Sequence, residues 1–293
     1  MIITPNDAAR FGDWMRDNEK SPATIAKYLR DVQRFMQFAH QRPLDKALII
    51  AYKTWLASHY LTASANSMLA SLNAFLRFCG WSSLCVKQFR MQRRAFVPEE
   101  KELTREEYQR LVDAARKRGN ERLELLVQTI CATGIRVSEL EFITVEAVRR
   151  GEAVVRCKGK TRSVFLVRDL RALLLDYIHR RGLAGGPVFV TRNGRPVSRT
   201  TVWREMKSLC AQANVAPEKV YPHNLRHLFA RVFYAAQHDL AKLADVLGHS
   251  SLNTTRIYVA STGQEHRRRM EDMHLVFSKI KKPPVSRSGL VST

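Results

Sequence analysis

The sequence predicts a mainly helical chain with small β-hairpins, an α+β protein of two domains. Three observations carry that reading. Apolar residues recur at helical spacing through residues 1–85, a basic stretch over 86–102 breaks the pattern, and beyond it helical segments alternate with two stretches that read as hairpins. A chain of 293 residues, 45% hydrophobic, is long enough to bury two cores.

Four short helices are expected over 1–85. Ser21 followed by Pro22 is an N-cap with proline at the first helical position, after which Ile25, Tyr28, Leu29, Val32, Phe35, Met36 and Ala39 recur on one face. Leu48, Ile49, Tyr52, Trp55 and Leu56 mark a third helix, and Met68, Leu69, Leu72, Phe75 and Leu76 a fourth that ends near Gly80. Such stripes are core rather than a cofactor box, so this part reads as a small bundle. Residues 86–102 carry Lys87, Arg90, Arg93 and Arg94, with Pro98 as a stop, and read as a basic interdomain linker suited to a phosphate backbone.

The second domain, 103–282, opens on a Thr104–Glu107 capping box ahead of a helix reaching Lys117. A helix over 121–132 stops at Gly134. Residues 153–167 alternate as two strands around Lys158, Gly159 and Lys160, and Asn193-Gly194 within 188–197 signals a second hairpin. Helices are expected again over 199–213, 224–236, 240–247, about 253–259 and 265–280, followed by a flexible tail over 283–293.

Charge narrows the function. Lys and Arg number 49 against 27 Asp and Glu, a net +22. That excess repels itself unless a polyanion neutralises it, so nucleic acid leads as partner, ahead of a merely soluble basic protein. The opening MIITPNDAARFGDW lacks a charged-then-apolar leader, and apolar runs such as 47–52 are far too short for a membrane span, so a cytoplasmic protein is expected. Cys79, Cys85, Cys131, Cys157 and Cys210 form no CxxC pair and are odd in number, which argues against a zinc site or a disulfide scaffold. Without a GxxxxGK[ST] loop or a carboxylate cluster for two-metal chemistry, no cofactor is expected.

Groups able to handle a phosphate concentrate in the second domain. Arg136 sits in CATGIRVSEL, just after the glycine break, and Lys158 and Lys160 sit on the hairpin turn. In YPHNLRHLFA, offsets of three and four put His223, Arg226 and His227 on one side of a helical start. His249 lies in DVLGHSS, and Tyr258 follows nine residues later in SLNTTRIYVAS. Singly these are ordinary: an arginine near a helix start, a histidine closing a helix, a tyrosine in an apolar run. Together, two arginines, a lysine, two histidines and a tyrosine make an acid–base and oxyanion-binding set.

The order TGIRVSEL, basic hairpin, HNLRH, LGHSSLNTTRIY resembles the tyrosine recombinase or phage integrase family, including its Xer-type members, whose pattern is Arg, Lys, His-x-x-Arg, His or Trp, Tyr. The likeness runs from about Thr104 to near Ile280. It implies a tyrosine recombinase catalytic domain behind a helical, SAM-like core-binding domain, which the N-terminal helices resemble in size and helicity. Carried over residue by residue, it makes Arg136 and Arg226 the arginine pair, His223 and His249 the histidines, and Tyr258 the nucleophile. The lysine is Lys158, the first of a GKG-like turn; Lys160 stays an alternative because the turn is shortened to KGKTR after Cys157. Glu139 matches an acidic position that orients the arginine in relatives, a solvated helix charge being the other reading. Lys87, Arg90, Arg93, Arg94, Lys160 and Arg162 are the expected DNA contacts.

These residue types suit phosphodiester chemistry. Two guanidinium forks donate paired hydrogen bonds to the non-bridging oxygens where charge builds, and a phenol with a pKa of about 10 needs a base or a positive field before it attacks. A covalent tyrosyl ester conserves the bond energy, so rejoining needs neither ATP nor metal. The resemblance further implies double-stranded DNA core sites as substrate and a homotetramer on DNA. Its C-terminal helix, with Arg267, Arg268 and Arg269 ahead of Met270, Met273, Leu275, Val276 and Phe277, is exchanged with a neighbour or else packs on its own domain. An accessory DNA-bending or excision factor is a further expected partner. Two other classes stand beside the recombinase: a type IB topoisomerase, which shares the tyrosine chemistry, and a non-catalytic DNA-binding relative.

Overall fold

Helix signals at the N-terminus build α1 (Pro5–Asp17), α2 (Pro22–Ala39), α3 (Lys46–His59) and α4 (Thr62–Phe78) in a computed structural model that describes residues 2–91, 101–157 and 160–258, with backbone only at 157 and 160. Arg93, Arg94, Lys158, the helix expected over 265–280 and the tail over 283–293 lie outside the described residues. Helices α1 to α3 start where side chains can take up free amides. Thr4 and Asp7 form a capping box at α1, Ser21 Oγ accepts from the Thr24 amide at α2, and Asp45 accepts from the Leu48 amide at α3. The stripes then meet in one core around Phe11, Val32, Phe35, Ile49, Tyr52 and Phe75.

Part of the expected linker belongs to this unit. Asn73 on α4 donates from Nδ2 to the Val86 carbonyl (2.8 Å) and accepts from the Val86 amide at Oδ1 (3.0 Å). Two turns earlier, Asn66 grips Phe89 in the same two-ended way, at 2.9 and 2.8 Å. These amides give residues 86–89 the pairing that a neighbouring strand would otherwise supply, while Lys87 and Arg90 stay exposed.

The second compact unit carries the rest of the elements. In order these are α5 (Arg105–Lys117), α6 (Glu121–Thr133), a 3₁₀ turn (Val137–Phe142), α7 (Val145–Arg150), β1 (Glu152–Cys157), β2 (Lys160–Phe165), α8 (Arg168–Arg180), α9 (Arg199–Ser208), α10 (Cys210–Ala213), α11 (Pro222–Gln237), α12 (Leu240–Leu247) and α13 (Leu252–Tyr258). Helix α6 is central, buried through Leu123, Leu126, Val127 and Ile130 and packed by α5, α8, α9 and α11. The two strands pair antiparallel from Glu152 opposite Phe165 to Cys157 opposite Lys160. Among the described residues no helix is long and apolar enough to cross a membrane.

Four elements differ from expectation. Helices α7 and α8 were not anticipated, although in α8 Leu170, Leu174, Tyr177 and Ile178 form a buried helical stripe. The helix expected over 199–213 breaks at Leu209 into α9 and α10. The second hairpin shrinks to a turn with one bridge, Val190 opposite Pro196, because a proline cannot donate to a ladder.

Replacing Asn73 by Ala strips both polar groups of Val86 of their partner, so the N-terminal unit should lose about 2–4 kcal/mol. Urea unfolding followed by tryptophan fluorescence checks this, since Trp14, Trp55 and Trp81 all lie in that unit.

Candidate functional site

Helix α6 ends at Gly134, whose left-handed φ of 63° turns the chain. A Cβ there would sit 2.5 Å from Phe229 Cδ1 and 2.9 Å from Leu247 Cδ2, so only glycine lets this turn seat against α11 and α12. Ile135 is then buried, and Arg136 follows as the residue leading the 3₁₀ turn. Its guanidinium donates from Nη1 to Glu139 Oε1 (2.7 Å), and its amide donates to Glu139 Oε2 (2.9 Å).

Glu139 is 2% exposed and takes a third donor, Arg162 Nη2, at 2.7 Å. Burial pushes its carboxyl upward, but the hydrogen bonds from the Arg136 amide and side chain and the charges of Arg162 and Arg136 outweigh it, and the net shift is downward from 4.5. Arg162 was expected on the DNA. Instead its side chain is 12% exposed, with Nη1 donating to the Val246 carbonyl (2.8 Å) and Nη2 to Glu139. Strand parity explains this: Arg162 lies two residues before buried Val164, and so on the inward face of β2. A Cβ on Gly248, which closes α12 with φ +66°, would overlap the Arg162 side chain.

Arg226, on α11, is 1% exposed. Nη1 donates to the Gly134 carbonyl; Nη2 donates to the Leu247 carbonyl (2.7 Å) and to His249 Nε2 (2.9 Å). Its Nε–H is buried without a partner among the described residues. Burial, then the charge of Arg136, lowers the guanidinium to about 10, so it remains a cation at neutral pH. Because a guanidinium only donates, His249 must accept at Nε2 and carry its proton on Nδ1, which lies 3.0 Å from Thr255 Oγ1. Burial, then Arg226, Arg136 and Arg162, holds His249 at about 4, a neutral imidazole.

Tyr258, the last described residue of α13, lies inside this group. Its ring centre lies 5.1 Å from that of His249 and 5.8 Å from Arg226 Cζ, and it stacks on His227 at 4.1 Å. Beside it opens a cleft of about 610 Å³ lined by Arg136, Arg162, Thr161, His249 and Ser250. His223 stands at the surface on the first turn of α11, facing a neighbouring cavity of about 430 Å³ that it shares with His227, Arg199 and Trp203. The protein wall beside its ring, then the charges of Arg226, Arg199 and Arg136, keeps it below 6.5 and therefore free to accept a proton at neutral pH.

The structure thus brings together Arg136, Glu139, Arg226, His249 and Tyr258, with His223 next to them. Lys160 pairs with Cys157 at the end of the hairpin, and Lys158 falls outside the described residues. Thr255 and the inward role of Arg162 were not read from the sequence. Parity along β2 could have shown the second, and the three-residue offset from Tyr258 the first.

With this geometry in hand, known proteins can be compared. The profile of the phage integrase family matches residues 101–265, more than half the chain. The chain belongs to the phage integrase family. A second profile, the family's N-terminal SAM-like domain, matches residues 9–82. Among its relatives, tyrosine recombinase XerA of Thermococcus kodakarensis is 31% identical over 284 residues, spanning 93% of this chain and 97% of the relative. Two solved phage-integrase folds superpose well: XerH site-specific recombinase bound to a difH substrate (TM-score 0.69, 20% identity, 93% and 85% of the two chains), and a lambda integrase tetramer bound to a Holliday junction (0.71, 19%, 88% and 77%).

Glu139 supplies the test of the electrostatics. Glu139→Gln should cost about 3 kcal/mol near pH 7, because Arg136 and Arg162 lose their shared counter-charge. A carboxyl held below its ordinary 4.5 contributes stability above that pH and loses it as pH falls through the depressed value. The difference between wild type and Glu139→Gln in urea unfolding should therefore be full at pH 6–7 and shrink below about pH 4.5.

Proposed function

We propose that this protein is a site-specific DNA recombinase of the tyrosine type, which cleaves and rejoins DNA through a 3′-phosphotyrosyl intermediate and a Holliday junction. The observation that carries it is the cluster of Arg226, His249 and Tyr258 beside Arg136, a phenol set among donors for one phosphate in a chain of this family. Its relatives are recombinases, which favours strand exchange over topoisomerase-like relaxation or passive DNA binding.

In this reading Arg136 and Arg226 donate to the non-bridging oxygens of the scissile phosphate, where the transition state gathers charge. The uncommitted Nε–H of Arg226 is one donor still to be satisfied. His249 adds a hydrogen bond to the same phosphate once that phosphate takes the Arg226 Nη2–H from it and the imidazole proton moves from Nδ1 to Nε2. His223 takes the proton of Tyr258 as Oη attacks phosphorus; the bond from phosphorus to the 5′ oxygen breaks, and that oxygen takes a proton from Lys158, with Lys160 as the alternative acid. A 5′ hydroxyl from a second strand reverses the sequence and restores Tyr258. Neither ATP nor a metal enters the balance.

Binding and assembly complete the proposal. Lys87 and Arg90, exposed on the segment held by Asn66 and Asn73, contact the DNA backbone together with Arg93 and Arg94. The active form is a homotetramer on DNA core sites in the cytoplasm, with residues 265–280 docked on a neighbouring subunit, and an accessory DNA-bending or excision factor serves it as partner. The core site is sought as inverted repeats around a short spacer in the DNA flanking the gene, and such repeats beside element ends would mark the integrase of a mobile element rather than a Xer-like resolvase.

A nicked duplex bearing that site should trap a covalent adduct with wild type and none with Tyr258→Phe. Equal trapping by the two would reject the nucleophile. On a duplex with a 5′-thio leaving group, which needs no proton, only the lysine that acts as the acid should be rescued when Lys158→Ala and Lys160→Ala are compared. Arg136→Ala should lose cleavage by about 100-fold or more with little change in DNA affinity, whereas Arg90→Ala should weaken binding and flatten its salt dependence.

A further inference from the structure

Few side chains hold the described part of the helix that carries Tyr258. In the described part of α13, Leu252, Asn253, Thr254, Arg256 and Ile257 are exposed, so only its inward face is held. That face carries Thr255 and Tyr258, three residues apart, and Tyr258 packs against the cluster of Ala230, Leu243 and Leu247. Buried Thr255 bonds His249 Nδ1 at 3.0 Å, and the Tyr258 ring lies flat on the His227 imidazole, centroids 4.1 Å apart and planes 20° apart. The other aromatic neighbour is oblique, since His249 meets the phenol at 41°.

His227 is well placed to fix a direction. It sits between buried Arg226 and Leu228 on α11, so its backbone is as firmly held as the guanidinium that receives the phosphate. Among the described residues its ring nitrogens make no hydrogen bond, which leaves the flat face as its contribution. Burial, then His223, Arg231 and Arg226, lowers it to about 4, so the face is that of a neutral ring that does not compete for an anion.

We propose that His227 is a positioning residue for the nucleophile: its imidazole face is the platform that aims the Tyr258 phenol at the phosphate gathered by Arg136, Arg226 and His249. This rests on the recombinase reading, in which Tyr258 attacks phosphorus. A flat face against the ring fixes its tilt in a way that the apolar cluster beside it does not, and in-line attack tolerates little misdirection.

Phenylalanine and leucine separate a platform from a chemical or merely space-filling role, because both fill the space with apolar atoms and only phenylalanine keeps the flat face. Adduct formation on the nicked duplex is followed in single turnovers at saturating protein, well below the thermal midpoint of each variant, with DNA affinity measured by gel shift. His227→Phe should cleave within about threefold of wild type and His227→Leu at least about tenfold more slowly, with affinities unchanged. If His227→Phe is as slow as His227→Leu, the imidazole nitrogens act and the platform is wrong. If His227→Leu matches wild type, the stack has no role. Tyr258→Phe in the same assay reports on the parent reading separately, since an adduct there would remove the nucleophile whatever His227 does.

Discussion

Arg226 keeps a full charge out of water, and an ion stripped of its hydration costs several kcal/mol unless its donors are taken up elsewhere. The carbonyls that take them up belong to the C-terminal ends of two helices, Gly134 after α6 and Leu247 at the close of α12. Helix C-termini carry unpaired carbonyls and the negative end of the peptide dipole, so they suit a buried cation. The requirement propagates. Both helices must stop beside α11, and both stop on a left-handed glycine, Gly134 and Gly248, at positions where a Cβ would strike a neighbouring side chain.

Glu139 is the complementary node. A buried carboxylate with donors from Arg136 and Arg162 joins the turn after α6 to strand β2, and Arg162 then reaches Val246 in α12. Three guanidinium groups and one carboxylate leave the cleft cationic, while the histidines beside them stay neutral because burial and the same arginines disfavour a further charge. Positive charge is thereby held on groups that cannot lose it at working pH, and proton exchange is left to groups that can.

Much of the fold was legible because it rests on local rules. Ser21-Pro22 and Thr104–Glu107 start helices through caps formed within one turn, and the stripes on α2 to α4 name their own buried faces. Where reading failed, a longer-range constraint intervened. Pro196 removed the donor that a second hairpin needed, and Asn66 and Asn73 drew residues 86–89 onto α4 by contacts 23 and 13 residues apart in sequence. Charge alone misled at Arg162, whose place on the inward face of β2 gives it to Glu139 rather than to solvent.

By itself the sequence determined which residues could form the site: their order, the glycines that break the helices, and the amphipathic stripes that carry them all act within a few residues of each other. Only the tertiary structure decided what each does. A guanidinium is the same ion at positions 136, 162 and 226, but burial and the carbonyls or carboxylate within reach make one partly open to the cleft, one a tie between strand and helix, and one the buried centre of three helices. The stack of Tyr258 on His227 likewise joins residues distant in the chain, and such a contact exists only once α11 and α13 have packed.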